Sequence, residues 1–146
     1  MKNINVFIEK KYEKLNECLC KSVIEKILTH YNYTSYDVNI IFTSDIYLSD
    51  LKKEFFLKDQ WTDVIAFPLQ IDSKFIEGEI YISIPTAKKN ANSYKEPYEK
   101  ELGRLIIHGS LHLLGIEDKS KEQKKKMTIL EEKFLEDVTW RGLIEK

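Results

Sequence analysis

The chain has 146 residues, of which 42% are hydrophobic, 32% charged and 12% aromatic. That mixture, with 5 Gly and 3 Pro, fits one globular domain spanning residues 1–146 and excludes disordered, collagen-like and low-complexity classes. A formal net charge of -1 does not mark a nucleic-acid binder, though it leaves room for a local basic patch.

Asn5 to Ile8 reads as a short strand. Lys11 to Tyr31 reads as a helix, with Leu15, Leu19, Val23, Ile27 and Leu28 at helical period. Cys18 and Cys20 sit two apart in that pattern, so their side chains diverge and are expected to stay reduced thiols. Tyr36 to Phe42 alternates as a strand, and Ser44 can cap a helix running to Phe56. A polar loop from Leu57 to Trp61 leads to a strand over Asp63 to Phe67, closed by Pro68. Glu77 to Ile84 alternates, with Ile80, Ile82 and Ile84 on one face. Pro85 then opens a helical segment. Pro97 suits the first position of a helix reaching Leu114, with Gly115 as its stop. A last helix covers Lys121 to Val138. The expected fold is α+β: a small mixed sheet of four strands packed with about five helices. No run approaches the roughly 18 apolar residues of a membrane span. Met1 to Asn5 carry no signal-peptide pattern, so a cytoplasmic location is expected.

The chemistry concentrates in Glu101 to Asp118. Leu102, Leu105, Ile106, Ile107, Leu111 and Leu113 surround a helix there, and a helix apolar all round is buried. His108 and His112, two of the chain's three histidines, lie on one face of it. Their spacing is about 40° in projection and roughly 6 Å along the axis. Such a pair can grip one metal ion. Gly115 lets the chain fold back, so that Glu117 or Asp118 can supply an oxygen ligand. Three protein ligands and one open position are the pattern of a catalytic zinc, whose bound water ionises near neutral pH. Arg104, one turn before His108, is a candidate for stabilising charge on a phosphate. Gly109 stands where a zinc peptidase of the His-Glu-x-x-His type carries its general base, which argues against that chemistry.

His108-Gly109-Ser110-Leu111-His112-Leu113-Leu114-Gly115-Ile116-Glu117-Asp118 resembles the His-Gly-x-Leu-His-Leu-x-Gly-x-Asp-His signature of the YbeY family of rRNA maturation factors. Thr62-Asp63-Val64-Ile65-Ala66-Phe67-Pro68 and Glu77-Gly78-Glu79-Ile80-Tyr81-Ile82-Ser83 are similar to two further blocks of that family, so the resemblance spans nearly the whole chain. It implies a zincin-like fold with a metal site on a buried helix, formed by His108, His112 and Asp118. It also implies a single-strand-specific, zinc-dependent endoribonuclease acting in 16S rRNA 3′-end maturation and ribosome quality control. The alternative is a ribosome-assembly or RNA-binding factor whose metal is mainly structural.

Asp118 replaces the family's usual third histidine, which leaves room for a divalent metal other than zinc. Glu117 stands at the family's aspartate, as a base or as an orienter of a ligand histidine. A family arginine falls at Phe56. Lys58, Trp61, Lys119 and Lys121 are candidate RNA contacts, with Lys52, Lys53, Lys88 and Lys89 as similar candidates. Glu131, Glu132 and Glu136 are expected on plain surface, and His30 as a charge partner at a helix C-terminus. Expected partners are rRNA or the small ribosomal subunit, with ribosomal proteins or other nucleases, and neither membrane nor DNA.

Overall fold

The computed structural model describes residues 1–56 and 62–145, except for the side chain of Phe56. In chain order they form β1 (Lys2–Ile8), α1 (Glu17–His30), β2 (Ser35–Thr43), α2 (Asp45–Phe56) and β3 (Val64–Ile71). β4 (Phe75–Ser83), α3 (Ile84–Tyr94), α4 (Tyr98–Leu113) and α5 (Lys121–Asp137) follow. Among the described residues there is one four-stranded sheet, ordered β1-β2-β4-β3. β1, β2 and β4 run parallel, while β3 forms an antiparallel hairpin with β4. The fold is therefore α+β with a mixed sheet and five helices among the described residues, as the sequence pattern indicated.

Alternation decides which sheet face is buried. Val38, Ile40 and Phe42 of β2 and Ile76, Ile80 and Ile82 of β4 are all fully inaccessible. α4 supplies much of the opposing layer, with ten of its residues buried. It approaches the sheet so closely that a Cβ on Gly109 would stand 2.6 Å from Ile80 Cγ2 and 3.0 Å from Val64 Cγ2. Gly109 is thus a packing requirement. It brings the His108 turn of α4 against the start of β3.

Several boundaries differ from the sequence reading, each for a local reason. α1 begins at Glu17, because the Asn16 side chain accepts the Leu19 N–H at 3.1 Å and caps the helix there. The residues before it turn back and pair with the C-terminal segment: Leu15 bridges Ile144, and Asn16 N–H donates to the Leu143 carbonyl at 2.8 Å. β3 runs past Pro68 to Ile71. A missing N–H is tolerated there because β3 is an edge strand, and the register shifts between Pro68 and Gln70. β4 stops at Ser83, whose hydroxyl accepts the Thr86 N–H at 3.1 Å, so Ile84 is buried from the first turn of α3. Pro97 is the cap residue of α4, one position before its first turn. The expected loop from Leu57 to Trp61 lies outside the described residues, and Lys58 and Trp61 with it.

Candidate metal centre

α4 ends in a turn that the sequence prepares. Gly115 has φ +90°, a conformation open to glycine. Its N–H donates to the His112 carbonyl at 2.9 Å, and the Ile116 N–H to the Leu111 carbonyl at 3.1 Å. This pair of bonds closes a Schellman motif and reverses the chain. Asp118 is carried back over the helix end as a result. Its Oδ2 lies 3.3 Å from His108 Nε2, and its Oδ1 lies 3.4 Å from His112 Nε2. The two Nε2 atoms are 2.9 Å apart.

A divalent ion fits these donors. Ligand atoms at about 2.0–2.2 Å on a tetrahedron stand roughly 3.3 Å from one another, and each Nε2 has an Asp118 oxygen at about that distance. The donor set, two imidazoles and one carboxylate, suits zinc and admits other divalent ions. Of the two acids left open by spacing, Asp118 meets the histidines; with them it forms the group able to hold a metal among the described residues. Glu117 sits at the rim, its side chain 53% exposed and 3.8 Å from Lys119 Nζ.

The ring nitrogen of His108 that faces away from this point meets Glu131. Glu131 Oε2 makes a short contact with His108 Nδ1, and its Oε1 accepts from Arg104 Nη1 at 3.2 Å. This corrects the surface reading of Glu131, which is only 4% exposed. Glu132 and Glu136 are exposed as expected. The signal was present in α5: Glu131 shares the buried stripe with Met127, Phe134 and Leu135. A carboxylate within an apolar stripe requires a partner.

Arg104 is that partner, and it is heavily engaged. Its Nε and Nη2 donate to Glu101 at 2.8 and 2.6 Å, and Asp63 Oδ2 lies 3.8 Å from Nη2. Asn90 Nδ2 ties the acids together, donating to Asp63 at 3.1 Å and Glu101 at 3.2 Å. Burial pulls against charge on Arg104, but these carboxylates prevail and raise its pKa. Burial likewise opposes charge on His108. The hydrogen bond and charge of Glu131, then Asp118 and Asp63, outweigh it and raise His108 above the ordinary imidazole value. Burial and the neighbouring His108 hold His112 below that value, against the pull of Asp118.

A cleft of about 490 Å³ opens over the triad. Lys52, Thr62 to Ala66, His108, His112 and Gly115 to Lys119 line it. It therefore gathers Lys119 and Glu117 beside the ligand set, together with the start of β3. Lys121 belongs to a separate surface with Lys124 and Lys125. Arg104 lines a second cavity behind the site, shared with Glu101 and Glu131. Lys88 pairs with Glu13 at 3.2 Å. His30 ends α1 as expected and packs edge-on against Tyr31 and Phe134.

A mixed sheet backed by a buried helix, with a His-His-Asp triad at an open cleft, defines an α+β protein with a candidate metal site. Comparison with known proteins carries this further. The Endoribonuclease YbeY family profile matches residues 2–139. A relative of that name from Persephonella marina is 37% identical over 125 residues, covering 81% of this chain and 80% of its own. Another, from Karelsulcia muelleri, is 35% identical over 132 residues, covering 90% and 93%. The solution structure of a Thermotoga maritima protein superposes with a TM-score of 0.61 at 29% identity, covering 92% of this chain and 88% of that one. The chain belongs to the YbeY family of endoribonucleases.

Proposed function

We propose that this protein is a metal-dependent endoribonuclease that cuts single-stranded RNA. Its biological place, on this reading, is 16S rRNA 3′-end maturation and ribosome quality control in the cytoplasm. Family membership supports cleavage of RNA. The observation that carries the metal dependence is the convergence of the two Nε2 atoms and the Asp118 carboxylate at an open cleft. A buried structural site would be closed by a fourth protein ligand, whereas Asp118 here keeps 32% of its side chain exposed. No described helix is long and apolar enough to cross a membrane.

His108, His112 and Asp118 would hold the ion, with zinc as the first choice. When bound, it supplies Lewis acidity toward a phosphoryl oxygen and toward water. The chain's own groups do the rest. Glu117, at the rim, takes the proton of the attacking oxygen, whether that of water or of a ribose hydroxyl. Lys52 and Lys119 flank the cleft and hold phosphates of the strand. Lys121, on a separate surface with Lys124 and Lys125, lies outside this cleft. Arg104 is committed to Glu101 and Glu131, so it contributes by holding those groups in place. The partners are rRNA within the small subunit and the ribosomal proteins or nucleases that accompany it.

A transcript carrying a single-stranded rRNA 3′ end, with a duplex control, tests this reading. The expected result is cleavage of the single strand alone, abolished by chelation and reduced at least about tenfold by Glu117→Gln. RNA binding without cleavage, together with unfolding on chelation, would favour an assembly factor with a structural metal.

A further inference from the structure

The chain builds more around His108 than the three ligands require. Glu131 comes from α5, 23 residues beyond His108, and its side chain is 6% exposed. One of its oxygens is on His108 Nδ1 and the other is on Arg104. Arg104 is in turn fixed by two bonds to Glu101, itself 2% exposed. Asn90 of α3 then joins Glu101 to Asp63, which lies beside β3 on the cleft wall. The series runs from one side of the cleft, behind it, to the back of a ligand histidine.

We propose that Glu131 is the positioning residue of the metal centre: anchored by Arg104, its carboxylate fixes the tautomer and ring plane of His108 so that Nε2 is the ligand atom. This rests on the metal-centre reading above. The physical reason is simple. A neutral imidazole carries one proton, and a carboxylate against Nδ1 holds it there. Nε2 then keeps its lone pair and faces His112 and Asp118, the direction in which an ion would sit. A ring without that anchor can rotate or change tautomer, and both motions cost metal affinity. Glu131 does not line the cleft, and its one contact with the three proposed ligands is to His108 Nδ1, so it acts on the ion through that ring.

His112 shows the contrast. It has no buried carboxylate behind it among its described partners: its Nε2 faces His108 Nε2 at 2.9 Å and Asp118 Oδ1 at 3.4 Å. The demand on α5 is therefore specific to His108.

The test uses the full chain loaded with zinc. Nitrogen-detected NMR of the wild type is expected to show the His108 proton on Nδ1, with Nε2 bound to zinc. A proton on Nε2 would overturn the proposal. Zinc affinity is then measured by chelator competition on Glu131→Ala and Glu131→Gln, with cobalt absorption as a second signature of the ligand geometry. Glu131→Ala is expected to lose roughly 10–100-fold in affinity and to broaden or shift the cobalt bands. Glu131→Gln, which retains an oxygen for the Nδ1 proton, is expected to recover much of that loss. Folded variants that both bind zinc within about twofold of wild type, with unchanged cobalt spectra, would refute the role. Should Glu131→Ala fail to fold, the wild-type tautomer and the Glu131→Gln affinity decide. A wild type that binds no divalent ion would overturn the metal-centre reading itself, whereas equal binding by all three proteins removes only Glu131.

Discussion

His108 and His112 stand one turn apart on α4, yet they belong to two differently built regions. Behind His108 lies a part-buried network in which Glu131, Arg104, Glu101 and Asn90 satisfy one another at 3.2 Å or less. In front of His112 lies the turn carrying Glu117, Asp118 and Lys119, whose side chains are 53%, 32% and 82% exposed. The first region has little room to move without breaking charged hydrogen bonds. The second is more exposed and faces the cleft. On the proposed metal-centre reading, a site divided in this way would brace His108 from behind and leave His112 facing the open side. The rigid part consumes stability elsewhere, since buried ions are costly to desolvate even when paired.

The largest effect should come from breaking the rigid side. Arg104→Ala leaves Glu101 and Glu131 facing each other without their cation. The expected loss is about 3–5 kcal/mol of unfolding free energy, measured by urea titration of the metal-free protein. A loss below about 1 kcal/mol would mean that the network does not brace the fold. Gly109→Ala tests the helix–sheet approach that sets the two regions side by side. Its added methyl must displace Ile80, a residue with no exposure, so a loss of about 1–3 kcal/mol is expected. Full stability in that variant would show that α4 can move off the sheet without penalty. The smallest effect belongs to the open side. Lys119→Ala should leave stability unchanged and lower the salt dependence of RNA binding. The log–log slope should fall by about 0.7 for one lost phosphate contact, read by fluorescence anisotropy at several salt concentrations. An unchanged slope would place Lys119 off the RNA path.

The same division explains what could be read from the sequence. His108, His112 and Gly115 are joined by helical spacing and one turn, so local geometry was enough to bring them together. Alternation marked β2 and β4, and the all-round apolar pattern marked α4 as buried. The α1 start was missed because its competitor is distant: the segment before Asn16 pairs with residues near 144. β3 was cut short at Pro68 because a proline is compatible with a strand only at an edge, and edges are a property of the whole sheet. Glu131 was misread for a related reason. Its partners lie 23 and 27 residues away on another helix, and only its place in the α5 stripe hinted at burial.

Metal content of the wild type and of Asp118→Ala, each paired with cleavage of an rRNA 3′-end transcript, tests the central claim most directly. The expected result is about one divalent ion per chain in the wild type, with ion and cleavage lost together in the variant while the fold persists. A variant that keeps both its metal and its cleavage, or a wild type that binds no metal after reconstitution, would contradict the His-His-Asp centre.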